Sequence, residues 1–250
     1  MTKEYINIFG INIENLTNDE AMDILTDELK TDGLFTIATP NTEIVMQSKK
    51  NLEYQVLVNS FDMVVPDGIG LIYASKIKKL PLKERVTGFD LSVGLLEKSA
   101  DIPFNLYILA GKPGVSERAA KNIENDYSGV TVVGNRNGYF THDEEDSIID
   151  NINSSNPDVI FVGLGFPKQE EFIRRNKDRI NAKIIIGNGG ATDIFAGDIN
   201  RAPDIFIRLN LEWFYRLLSD PKRIKRQMAI PQFLFNIVVN KDSVKKGEKS

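Results

Sequence analysis

The sequence predicts an α/β fold: a Rossmann-like, mostly parallel sheet with an N-terminal β-hairpin region and a C-terminal helical, basic appendage. Three observations lead there. Short, β-branched apolar runs recur along the chain; each ends in glycine or a polar turn; and each is followed by a stretch with a polar face and helix start signals. Strands of that kind, alternating with helices, pack as a parallel sheet covered on both faces.

The elements follow in order. "YINIFGINIENL" alternates around Gly10 and reads as a hairpin. Thr17–Lys30 then reads as a helix. The run "LFTIAT" (34–39) is the first buried strand, followed by helices over Asn41–Lys50, Gly68–Lys79 and Phe89–Ala100. "NLYILAG" (105–111) leads to a helix over Pro113–Asp126, and "VTVVG" (130–134) to one over Asp143–Asn153. "DVIFVGLG" (158–165) precedes a helix over Pro167–Asp178, and "AKIIIGNGG" (182–190) is the last strand of the series.

With 250 residues, 42% hydrophobic and 26% charged, the chain can bury one substantial core plus an appendage. The expected division is an α/β core over 1–195 and a helical, membrane-binding appendage over 196–250. Because every run above precedes residue 196, the core is expected to fold without the rest. Charge separates the two parts. Residues 200–250 hold 11 Lys/Arg against 5 Asp/Glu, a net of +6, which leaves −10 on residues 1–199 of a chain at −4.

In the tail, "RAPDIFIRLNLEWFYRLLSDPKRIKRQMAIPQFLFNIVV" sets Arg216, Lys222, Arg223, Lys225 and Arg226 among aromatic and aliphatic side chains. That mixture suits an anionic surface at an apolar boundary. Phe206, Leu209, Trp213 and Leu217 recur at helical spacing, which also fits burial against the same domain or a partner subunit. A homo-oligomer off the membrane is expected, rearranging on it.

Zero cysteines exclude disulfides, thiolate nucleophiles and Cys-ligated metals. The N-terminus has no apolar core of a signal peptide, and no apolar stretch approaches the roughly 18 residues of a membrane span. The expectation is a cytoplasmic protein, peripheral on the inner face of the plasma membrane, with no nucleic-acid partner.

In parallel sheets ligands sit at the carboxyl ends of the strands. In "TPNTE", Asn41 suits either a helix N-cap or a ligand contact. In "VVPDGIG", Asp67 and Gly68 present a carboxylate that suits either a cap or a general base. "AGKPGVSERAA" (110–120), "GLGFPKQEEF" (163–172) and "GNGGATDIFAG" (187–197) bring backbone N–H groups towards helix starts, so Gly111, Gly165, Lys168 and Gln169 fall where an anionic, nucleotide-bearing ligand would lie. None is a complete dinucleotide or Walker loop, which disfavours an oxidoreductase.

The sole histidine, His142, sits between Thr141 and Glu144, a capping-box pattern, so a Ser-His-Asp triad is not expected. No D-x-D or H-E-x-x-H motif offers a metal site. Metal-free chemistry, with no cofactor, is expected. Arg85 in "PLKERVTG" is either an exposed loop arginine or the cation that stabilises a leaving diphosphate.

Taken together, "TPNTEIV", "VVPDGIGLIYASK", "LPLKERVTGFDL", "LAGKPGVSERAAKNI", "GNRNGYF", "DVIFVGLGFPKQEEF" and "RAPDIFIRLNLEWFYRLLSDPKRIKR" resemble, in order, the motifs of the WecG/TagA/CpsF glycosyltransferase family, from about Phe9 to Arg226. Within it the chain most resembles the branch that transfers N-acetylmannosamine from its UDP-sugar to undecaprenyl-diphosphate-linked N-acetylglucosamine, β(1→4) with inversion, early in wall teichoic acid synthesis. The resemblance makes the core over 1–195 catalytic and the appendage over 196–250 acceptor-binding, and implies that Asp67 is the general base for the acceptor C4 hydroxyl. It implies that Thr39 and Gln169 contact the donor sugar and that Arg85 meets the departing UDP. Tyr139 would stack on uracil, Asn188 and Asp193 would address the base or ribose, and Arg216, Arg223 and Arg226 would approach the lipid diphosphate. The loop at 188–194 departs from the commoner family wording. A donor carrying N-acetylmannosaminuronic acid or another hexose, and a non-catalytic UDP-binding module docked on a membrane, are the alternatives.

Overall fold

The structure, a computed structural model, describes residues 4–208, 211–219 and 229–248. Its centre is a six-stranded parallel sheet. The strands are β3 (Phe35–Ala38), β4 (Met63–Val64), β5 (Phe104–Ala110), β6 (Val130–Arg136), β7 (Val159–Gly163) and β8 (Ile184–Gly187), in the order β4-β3-β8-β7-β5-β6. Every pairing in it is parallel. The five runs expected to be strands all lie in this sheet.

The pleat explains why those runs are apolar without interruption. On β8, Ile184 and Ile186 enter the apolar cluster on one face while Ile185 enters the cluster on the other, and all three are fully buried. On β7, Val159 and Phe161 face one way, Ile160 and Val162 the other.

Helices α1 (Asn18–Glu28), α5 (Gly88–Lys98) and α6 (Val115–Asp126) cover one face. The other is covered by α2 (Thr42–Lys50), α3 (Leu52–Asn59), α4 (Ile69–Ile77), α7 (Glu145–Ser155) and α8 (Lys168–Asn176). Capping starts many of them. Thr17 and Glu20 form a reciprocal box at α1, with Thr17 N–H donating to Glu20 Oε2 at 2.8 Å. His142 is 77% exposed, inside the Thr141–Glu144 box that precedes α7, so its place is a solvated helix start.

A second sheet is antiparallel, in the order β2-β1-β9. β1 (Tyr5–Ile8) and β2 (Ile11–Glu14) form the expected hairpin, turning at Gly10 with φ +92. Its third strand, β9 (Val244–Gly247), comes from the other end of the chain. Nothing in "VKKG" announces a strand; pairing with β1 makes it one.

Three short helices precede β9: α9 (Ala191–Phe195), then α10 (Asp204–Arg208) and α11 (Glu212–Ser219). The chain then re-enters the described residues in α12 (Ala229–Val239), which packs on α2 and α4. Phe233 and Ile237 of α12 are fully buried in the main core, each worth about 1.5–3 kcal/mol. The tail is therefore helical as expected, yet its last part closes the same core as the first hundred residues.

Candidate functional site

The strand order creates the site. The chain leaves β3 through α2 on one face and leaves β8, its neighbour, through α9, which packs with α6 towards the other. Loops that part in this way open a crevice at the carboxyl ends of the two strands. A cavity of about 640 Å³ lies there.

Backbone hydrogen bonds join the loops that wall it. Val65 N–H donates to Ala38 O at 3.0 Å, Asp67 N–H to Pro40 O at 3.2 Å, and Val86 N–H to Pro66 O at 3.1 Å. Asp67 is thus held between the loop of Thr39 and the loop of Arg85. Thr39 donates its hydroxyl to Gly187 O at 3.2 Å, tying β3 to the end of β8. Glycine suits these close approaches: a Cβ on Gly88 would stand 2.9 Å from Gly187 O, too near for backbone that cannot shift, and one on Gly68 would be tight at 3.1 Å from Thr42 N.

Thr39, Asn41, Asp67, Gly68, Arg85, Tyr139, Gly165, Gln169, Asn188 and Asp193 all border this cavity. Asn41 is the expected N-cap: its Oδ1 accepts from Glu43 N–H at 2.9 Å and Ile44 N–H at 3.1 Å, capping α2 at the cavity wall. Asp67 is not the cap of α4, since Gly68 occupies that position.

Arg85 is not an exposed loop residue. Its side chain is 17% exposed, and Nη1 and Nη2 both donate to Glu212 Oε2 at 3.1 Å, so α11 of the tail reaches the cavity. Trp213, next to Glu212, borders the cavity and packs against the main core.

A second cavity of about 610 Å³ adjoins the first, sharing Tyr139, Gly189 and Asp193 with it. Gly111 lies here, at φ +72. Tyr139 is 67% exposed between the two spaces. Lys168 braces the loop that carries Tyr139. Its Nζ donates to Gly138 O at 3.0 Å and Phe140 O at 3.2 Å, and lies 3.9 Å from the Phe140 ring centre.

Sequence reasoning passed over Glu170, Arg201 and Glu212. Arg201 borders the first cavity, paired with Asp90 and 4.6 Å from the centre of the Phe89 ring. Glu170 is 3% exposed, and burial pushes its carboxyl up to about 7, against the pull of its hydrogen bonds.

Arg216 belongs to α11, but its side chain lies outside the described residues, as do Arg223, Arg226, Lys222, Lys225 and Leu209. Of the tail stripe, Phe206 packs on Tyr215 with ring centres 5.4 Å apart. Among the described residues no group of three or more His, Asp or Glu could hold a metal ion, and no helix is long and apolar enough to cross a membrane.

Comparison with known proteins gives a consistent result. The glycosyl transferase WecG/TagA/CpsF family matches over residues 6–247. A Bacillus spizizenii protein named N-acetylglucosaminyldiphosphoundecaprenol N-acetyl-beta-D-mannosaminyltransferase is 35% identical over 198 residues, 79% of this chain and 76% of its own. A Staphylococcus aureus protein of the same name is 34% identical over 246 residues, 97% of this chain and 96% of its own. One from Bacillus subtilis is 33% identical over 202 residues, 81% and 78% of the two chains.

Proposed function

The chain belongs to the glycosyl transferase WecG/TagA/CpsF family, and from that premise we propose that it transfers N-acetylmannosamine from UDP-N-acetylmannosamine to undecaprenyl-diphosphate-linked N-acetylglucosamine, an early step in teichoic acid assembly. The acceptor and the sugar moved are those in the names of its relatives. The finer part of the proposal is a metal-independent, inverting transfer to the C4 hydroxyl. The observation that carries it is convergence: Thr39, Asp67, Arg85 and Gln169, which arrive on separate loops, border one cavity.

The chemistry is a single displacement. Asp67 takes the proton of the acceptor hydroxyl as that oxygen bonds to the donor's anomeric carbon, and the bond to UDP breaks on the opposite side. Base assistance of this kind contributes about 10²–10⁴-fold. Arg85 stabilises the charge that grows on the departing diphosphate, exchanging Glu212 for phosphate oxygens as the ligand enters. Thr39 and Gln169 hold the donor sugar.

The basic tail, with Arg216, Arg223 and Arg226, meets the lipid diphosphate and the anionic inner face of the membrane. Exposed Phe235, Val238 and Val239 on α12 are compatible with a protein that rests on lipid or on a second copy of itself.

The test is transfer of labelled N-acetylmannosamine from UDP to a short-chain lipid-diphosphate N-acetylglucosamine, with the UDP-N-acetylmannosaminuronic acid donor in parallel. Asp67→Asn should keep fold and UDP binding and lose at least about a hundredfold in turnover. UDP binding without turnover in the wild type would make the protein a binding module, and full activity in Asp67→Asn would remove this base.

A further inference from the structure

Three residues that border the main cavity each hold a buried oxygen with no hydrogen-bond partner: Gln169 Oε1, Glu170 Oε2 and Asn188 Oδ1. Their residues are 5%, 3% and 2% exposed. The other half of each side chain is engaged. Gln169 Nε2 donates to Glu170 Oε1 at 3.0 Å, and Asn188 Nδ2 donates to Ser92 Oγ at 2.9 Å. These bonds engage the nitrogen of each amide, so in both the atom left unpaired is the acceptor. The two residues meet at Gly187, where an added Cβ would collide with the Gln169 amide.

Buried polar atoms left unpaired are costly, so a ligand that supplies their partners gains affinity and selectivity together. Two amide oxygens demand donors. A diphosphate has none at neutral pH, whereas a sugar ring offers several hydroxyls. This corner of the cavity is therefore matched to the sugar of a nucleotide sugar, and the phosphates belong on the Arg85 side. That assignment moves Asn188 from the base to the sugar.

Glu170 differs from its two neighbours because a carboxyl can carry a proton. With Oε1 accepting from Gln169, a protonated Oε2 is an unpaired donor where the two amides leave unpaired acceptors. An acetamido carbonyl beside a ring hydroxyl presents the complementary pair. Resting on the proposed transferase reading, we propose that Glu170 is a specificity-determining residue that donates to the acetamido carbonyl of the transferred sugar while Gln169 Oε1 accepts from the adjacent hydroxyl.

The experiment compares kcat/KM for UDP-N-acetylmannosamine and for UDP-mannose, its C2-hydroxyl analogue. In Glu170→Ala the preference of the wild type for the acetamido donor should fall about a hundredfold, chiefly through the acetamido donor, with UDP affinity by calorimetry unchanged. Glu170→Met, similar in length and without a donor, should do the same and serves if the alanine variant does not fold. Glu170→Gln should keep the preference within about threefold, because its amide copies the protonated acid: oxygen towards Gln169, N–H outward.

An unchanged preference in Glu170→Ala or Glu170→Met overturns the proposal, as does an equal loss with both donors, which would make Glu170 structural. Loss of the preference in Glu170→Gln overturns the donor role. If the wild type transfers neither sugar, the transferase reading falls instead. Calorimetric affinities of wild type and Glu170→Met for the two nucleotide sugars then decide this point by the same comparison.

Discussion

Glu170→Gln should make the protein more stable, and increasingly so as pH rises. In the folded chain the Glu170 carboxyl is pushed from the ordinary 4.5 to about 7, first by burial and then by the neighbouring Glu171 charge. A folded-state pKa above the unfolded one means that the unfolded chain gives up this proton first. Stability is therefore fully present below pH 4.5, falls between 4.5 and 7, and stays reduced above. A shift from 4.5 to about 7 at 1.36 kcal/mol per pH unit gives a penalty of about 3 kcal/mol at pH 8, and under about 1 kcal/mol at pH 5.

Glutamine cannot ionise and still offers Gln169 an acceptor, so it escapes the penalty. Glu43, Asp67, Arg85, Asp193, Arg201 and Glu212, which border the same cavity, are present in both proteins. The difference between the two proteins isolates one carboxyl. Urea unfolding of both at pH 5 and pH 8 should show the stability gap widen by about 2–3 kcal/mol at the higher pH. A gap that is constant with pH, or that grows in favour of the wild type, would refute the reasoning.

Two further outcomes follow from the tail. Arg85→Ala should lower turnover about a hundredfold with little change in the acceptor KM, and should speed protease cleavage in α11, which loses the ion pair from Glu212 to Arg85; an effect confined to acceptor KM would place Arg85 in acceptor binding. Ending the chain at residue 228 removes Phe233 and Ile237, both fully buried, and unpairs β9 from β1. The loss should reach about 3–6 kcal/mol, a large part of a typical 5–15 kcal/mol. A truncated chain that unfolds at the wild-type urea concentration would show that the contact with α12 is dispensable.

The central sheet was legible because its physics is repetitive. Strands buried on both faces must be apolar at every position, and "AKIIIGNGG" or "DVIFVGLG" can hardly be anything else. The elements that escaped notice have no such signature. β4 is two residues long, too short for any period, and exists through its parallel pairing with β3, continued by Val65 N–H bonding to Ala38 O. α3 begins directly after α2, with Asn51 ending one helix and capping the next, so the pair reads as one amphipathic stretch. β9 consists mostly of lysine and glycine and is a strand through pairing with β1.

The site shows the same division between what a local pattern can state and what only the fold decides. Loops after strands pointed to Asn41, Asp67, Gly165 and Gln169, since parallel sheets bind ligands there whatever the ligand is, whereas Thr39 and Asn188 came from the family resemblance. At Asn41 the cap and the cavity wall are not alternatives: its side-chain oxygen caps α2 while the residue forms part of the wall. Glu170 was invisible for a different reason. A glutamate next to Gln169 and Glu171 at the start of a polar helix reads as solvated surface and as a favourable charge at the helix dipole. Its burial comes from the rotation of α8 against the sheet, which turns Gln169, Glu170, Phe172 and Ile173 inward together. A helix that buries two polar residues in its first turn leaves hydrogen-bonding capacity unfilled within the fold. That unfilled capacity at the mouth of β8, rather than any motif, distinguishes a wall shaped for a sugar from one shaped for phosphate alone.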